Sequence, residues 1–92
     1  MMLRIISKQQ GTTYRLELHG TVAGEWIAVL EHHWRDILSA VPSATIAVGL
    51  SNVVFIDRDG EELLRRMAER GVELDGTGLM NRYVIGKISG GM

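Results

Sequence analysis

The densest group of polar side chains in the chain is Asp57-Arg58-Asp59-Gly60, followed at once by Glu61 and Glu62. Asp59 and Glu62 have the spacing of a capping box, in which two side chains reciprocally satisfy the free N–H groups that open a helix. Four carboxylates at such a start occupy the positive end of the helix dipole. They exclude the bare N–H groups and positive potential that a phosphate or nucleotide site offers, and Arg58 is the only cation beside them.

Elsewhere the chemistry-bearing residues do not assemble into a reactive set. His32 and His33 are adjacent and point about 100° apart on a helix, so they cannot share a metal ion; His19 belongs to another element. The histidines are expected at the surface. Ser51 and His33 lack a third group at triad spacing, and no Gly-x-Ser-x-Gly elbow is present. Gly76-Thr77-Gly78 is followed by no lysine and reads as a turn. The chain has no cysteine, which removes disulfides, thiolate metal sites and thiol nucleophiles. No catalytic, metal or cofactor residues are expected, and the chain reads as a non-enzyme.

The elements that position Asp57–Gly60 are legible from periodicity. Residues 2–7 and 12–19 read as a hairpin around Gln9-Gln10-Gly11, with Tyr14, Leu16 and Leu18 alternating against Arg15, Glu17 and His19. Gly20 closes the second strand. A helix follows over 24–41, where Trp26, Ile27, Leu30, Trp34, Ile37, Leu38 and Val41 fall within an arc of about 120°. Trp26 sits at the rim of that arc as a core residue, though tryptophan is also the type most enriched in binding hot spots. Pro42 ends the helix. Thr45–Leu50 reads as a strand covered on both faces, and Val53–Ile56 is a second apolar stretch leading into Asp57. The second helix starts at Asp59, carries Leu63, Leu64, Met67 and Ala68 as its stripe, and stops at Gly71. Val72 and Leu74 suggest a short strand. Leu79, Met80, Tyr83 and Val84 suggest a last helix, before a frayed tail over 86–92. The pairs Glu61/Arg65, Glu62/Arg66 and Glu31/Arg35 have the i,i+4 spacing of solvated helix faces.

The expected fold is a single α/β domain over 1–92 in the order β-β-α-β-α-β-α. It has a mixed sheet of 4–5 strands and three helices mainly on one face. At 92 residues and 46% hydrophobic, the composition is that of one globular domain. Net charge is −1, from 10 Lys+Arg and 11 Asp+Glu, which offers no excess for nucleic acid or anionic lipid. Arg4 and Lys8 interrupt the first apolar stretch, so neither a secretory leader nor a membrane insertion is expected. Absence of cysteine fits a reducing compartment, and the expected location is the cytoplasm.

The run Leu50-Ser51-Asn52-Val53-Val54-Phe55-Ile56-Asp57, then two residues and Gly60, resembles the signature segment of the STAS domain (sulfate transporter and anti-sigma-factor antagonist). The leading hairpin, Gly20 and the Gly71-Val72-Glu73-Leu74 stretch resemble the same pattern, over roughly 14–88. In members regulated by phosphorylation the loop reads Asp-Ser-Ser-Gly and its second serine accepts phosphate. Here Asp59 stands at that position and Arg58 before it, so the resemblance implies a member without the usual switch. Relatives also carry an aspartate where this chain has Gly49. Asp59 can be read as imitating phosphoserine, with less charge than the roughly −1.5 to −2 of phosphate, or as a helix cap alone.

What the resemblance implies is a protein–protein recognition domain similar to anti-sigma-factor antagonists. It would dock through Asp57, Arg58, Asp59, Gly60, Glu61 and Arg65, with Thr21, Val22 and Gly24 of the neighbouring turn alongside. The implied partner is an anti-sigma-factor-like kinase or, alternatively, the ATPase of a lipid transporter. The chain itself would be a monomer or weak dimer.

Overall fold

The computed structural model describes residues 2–76. They form β1 (Leu3–Gln10), β2 (Thr13–Val22), α1 (Trp26–Ala40), β3 (Thr45–Ile56), α2 (Arg58–Glu69) and β4 (Glu73–Asp75). The four strands make one mixed sheet in the order β1-β2-β3-β4. The hairpin pair β1/β2 is antiparallel, with Ile5 opposite Leu18; β2/β3 and β3/β4 are parallel. Both β-α-β crossovers step the same way along the sheet. With the right-handed connection such units adopt, both helices lie on one face. The expected order and mixed sheet are therefore present with two helices; the third helix, over 79–84, and the tail over 86–92 lie outside the described residues.

One core lies between that face and the helices. Leu16 and Leu18 from β2, Val48 and Leu50 from β3, Leu30 from α1, and Leu63, Leu64 and Met67 from α2 are all 0% exposed. Each such side chain contributes about 1.5–3 kcal/mol through burial. Trp34 and Ile37 are buried with them, and Trp26 packs against the cluster from its edge, as its place on the helical arc predicts. Among the described residues no helix is long and apolar enough to cross a membrane.

Three sequence expectations change. The strand β2 runs through Gly20 to Val22. The two apolar stretches 45–50 and 53–56 are one strand. That strand gains a residue on β2 between Glu17 and His19, and another between Gly20 and Thr21. Each extra residue is a bulge that rotates the side chains after it.

The third change concerns the start of α2. Its N-cap is Asp57, whose side chain accepts from Gly60 N–H; Asp59 lies inside the first turn. The capping box at Asp59 and Glu62 does not form because the helix begins two residues earlier. Its other end is as expected. Val72 N–H donates to Met67 C=O and Gly71 N–H to Ala68 C=O, both at 3.0 Å, with Gly71 at φ 93°. This is a Schellman stop.

Candidate functional site

The Asp57 backbone leaves β3 and turns directly into α2, which places its carboxylate against the end of β2. Its N–H donates to Val22 C=O at 3.2 Å. Its Oδ1 accepts from Gly60 N–H at 2.7 Å, and its Oδ2 accepts from Gly24 N–H at 3.1 Å. One residue thus ties the β2–α1 turn to the first turn of α2. Gly60 fits this approach because it has no side chain: a Cβ there would collide with Val22 C=O.

The exposed part of this surface is small. Gly24, Arg58 and Asp59 are exposed, and Asp57, Glu61 and Arg65 are half-buried. Arg65 Nε lies 3.8 Å from Glu62 Oε1. Thr21 is 7% and Val22 0% exposed, and Gly60 is buried. These three of the expected contact residues shape the surface from beneath and present no side chain to a partner. Asp59 is free of the capping role, and its carboxylate stands in solvent at the start of α2.

Sequence reading missed the apolar part of the same end of the sheet. Val54 is 60%, Phe55 50% and Met2 63% exposed. Phe55 pairs with Thr21 across β2/β3, and Thr21 N–H donates to Met2 C=O at 3.3 Å on the other side. Val54 and Phe55 therefore lie at the end of β3 beside Asp57, and Met2, just before β1, lies across β2 from them. In the sequence Val53–Ile56 reads as a uniform apolar stretch. The signal that separates them is the polar pair Ser51-Asn52 inside the run, which marks the first bulge.

On the face of the sheet away from the helices, Arg15 reaches across β3 to β4. It forms a fork with Asp75, Nη1 to Oδ2 at 2.8 Å and Nη2 to Oδ1 at 2.9 Å, and also donates to Glu17. Gly49 leaves room for this crossing: a Cβ at 49 would run into the Glu17 carboxylate and lie 3.0 Å from Arg15 Nη2, so those side-chain ends would have to shift. Hydrogen bonds from Arg15 hold the Asp75 carboxyl below its ordinary range, and Asp75 followed by Glu17 pushes the Arg15 guanidinium up.

The helices are joined by Glu31 on α1. Its Oε2 accepts from Arg66 Nη1 at 3.1 Å and from Arg35 Nη2 at 2.9 Å. Arg66, then Arg35, hold the Glu31 carboxyl below the usual glutamate range. Arg66 thus pairs across the helices, in place of the Glu62/Arg66 pair that spacing suggested. His32 lies 3.3 Å from Asp36 on the exposed side of α1. Among the described residues no three His, Asp or Glu side chains gather as a metal site would require.

No family model matches the chain, and no curated protein matches it. Among solved structures, the chain is similar to one described as a crystal structure analysis of Mglu, at 26% identity and a TM-score of 0.51, covering 79% of this chain and 19% of that one. A structure of Mglu in its native form in 4.3 M NaCl aligns at 17% identity and a TM-score of 0.45, covering 90% of this chain and 27% of that one. The chain thus spans about a fifth to a quarter of the length of the solved chains it resembles.

Proposed function

We propose that this chain is a recognition module of the STAS type, without catalytic activity, that docks another protein through the surface around Asp57. The observation that carries this reading is the double bridge of the Asp57 carboxylate to Gly24 and Gly60. It makes the β2–α1 turn and the start of α2 one preorganised surface, so little ordering entropy is lost on binding. Arg58 and Asp59 supply opposite charges for selecting a partner, and Phe55 with Val54 supplies apolar anchor area beside them. The proposal includes a cytoplasmic location.

The partner is an anti-sigma-factor-like kinase or the ATPase of a transporter. The second is favoured by Arg58 and Asp59 themselves, since neither offers a hydroxyl for a kinase to modify. A capture experiment with Asp59→Ser and Asp59→Asn against the wild type tests the role of the fixed charge. If Asp59 imitates phosphoserine, both variants gain affinity for a kinase partner. Identical binding by all three removes the mimicry and leaves a partner indifferent to that charge.

A further inference from the structure

A second site lies away from Asp57, in the groove between the two helices. Trp34 and Leu38 of α1 with Arg66 and Glu69 of α2 line a half-open cleft of about 250 Å³, and Arg35 and Arg70 complete its rim. α1 supplies its apolar lining, and both helices supply its charges. The Trp34 ring, 4% exposed, and Leu38 form an apolar floor, while three guanidiniums stand above it.

The guanidiniums are held in place before anything binds. A single oxygen, Glu31 Oε2, accepts from Arg35 Nε at 3.1 Å, Arg35 Nη2 at 2.9 Å and Arg66 Nη1 at 3.1 Å. It thereby fixes two guanidiniums from different helices side by side. Those three N–H groups are a minority of the roughly ten that two guanidiniums carry. Arg70 makes no ion pair among the described residues. Three positive groups face two carboxylates, Glu31 and Glu69, so the cleft has one unmatched positive charge.

We propose that this cleft binds a small organic anion, a carboxylate on a compact apolar body, with the guanidiniums taking the charge and the Trp34–Leu38 floor the body. Arginine suits this because its planar donors meet a carboxylate in parallel pairs. The cleft falls just below the ~300–1,000 Å³ of drug-sized sites, which limits the body to something near a single ring. The site is independent of the partner surface around Asp57 and stands if that reading fails.

The Trp34 indole N–H is buried and has no acceptor, so its NMR resonance is a reporter for events at the cleft. It is assigned by comparison with Trp26→Phe. Phenylacetate is the probe, with phenylacetamide as the neutral analogue and acetate as the anion without a body. Phenylacetate is expected to move the Trp34 resonance saturably at about 1 mM. Phenylacetamide and acetate should each bind at least roughly tenfold more weakly, the loss expected for a charge-assisted pair or for the buried ring. Arg70→Gln, which leaves the Glu31 bridge intact, should weaken phenylacetate about threefold or more. The proposal is overturned by an unmoved Trp34 resonance at ~10 mM phenylacetate. It is equally overturned if phenylacetamide or acetate matches phenylacetate, or if Arg70→Gln binds as the wild type does; the arginines then serve only the Glu31 bridge and the end of α2.

Discussion

Asp57 and Gly24, 33 residues apart in sequence, are joined by a carboxylate-to-backbone hydrogen bond of 3.1 Å. The same carboxylate caps α2 through Gly60 at 2.7 Å, so a single side chain links the start of α2 with the turn before α1. Asp57→Ala removes both contacts and is expected to cost about 0.5–2 kcal/mol in urea unfolding, the range for a lost cap. Asp57→Asn keeps one acceptor oxygen and should fall between. Amide exchange at Gly24 should quicken in both variants, which separates the bridge from the cap.

Gly60 gives a prediction with an unusual sign. An alanine inside a helix is ordinarily favoured over glycine by about 0.5–1 kcal/mol. Here a Cβ would meet Val22 C=O, so Gly60→Ala should destabilise by about 1–3 kcal/mol, as overpacking does. A stabilising Gly60→Ala would mean that β2 and α2 are further apart than described.

Glu31 makes stability depend on acid. Its carboxyl is held down by Arg66 and Arg35, so the folded state binds its proton less readily than the unfolded chain does. The stabilisation is therefore complete above the unfolded value and is lost as pH falls through the folded one. The melting temperature of the wild type should exceed that of Glu31→Gln at neutral pH. The gap should begin to close below about pH 5, once the unfolded glutamate takes up its proton, and go on narrowing as pH falls through the lower folded value. Asp75 beside Arg15 contributes in the same direction.

Gly49 and Glu17 are expected to be coupled. An aspartate at 49 would displace the Glu17 carboxylate and set three carboxylates around Arg15. Gly49→Asp should destabilise the chain, and Glu17→Ala should recover part of that loss. A double-mutant cycle should give a coupling of about 0.5–3 kcal/mol; strict additivity would show that the two positions do not compete.

Much of this architecture was legible because burial leaves a period in the sequence. The stripe from Trp26 to Leu38 located α1 over 24–41, against an observed 26–40, and Gly71 marked the end of α2. What periodicity hides is phase. Leu63, Leu64 and Met67 set which face of α2 is buried but not where the helix begins. Two acidic residues, Asp57 and Asp59, could each have capped it, and contact with Gly24 selects Asp57. Bulges hide phase in strands as well: the residues gained in β3 leave Val54 and Phe55 exposed within a run that reads as uniformly apolar. The Arg15–Asp75 fork spans 60 residues, beyond the reach of local spacing.

The central claim is that the surface beside Asp57 binds a protein, and it is tested most directly by co-purification from the native host. Wild type is compared there with the double variant Phe55→Ser, Arg58→Glu. Both positions are exposed, so the variant should keep its unfolding free energy within about 0.5 kcal/mol per site. The account predicts that the wild type retains one nucleotide-binding protein, kinase-like or a transporter ATPase, in stoichiometric amount and that the folded variant loses it. Equal recovery by both, or no partner retained by the wild type, would contradict it.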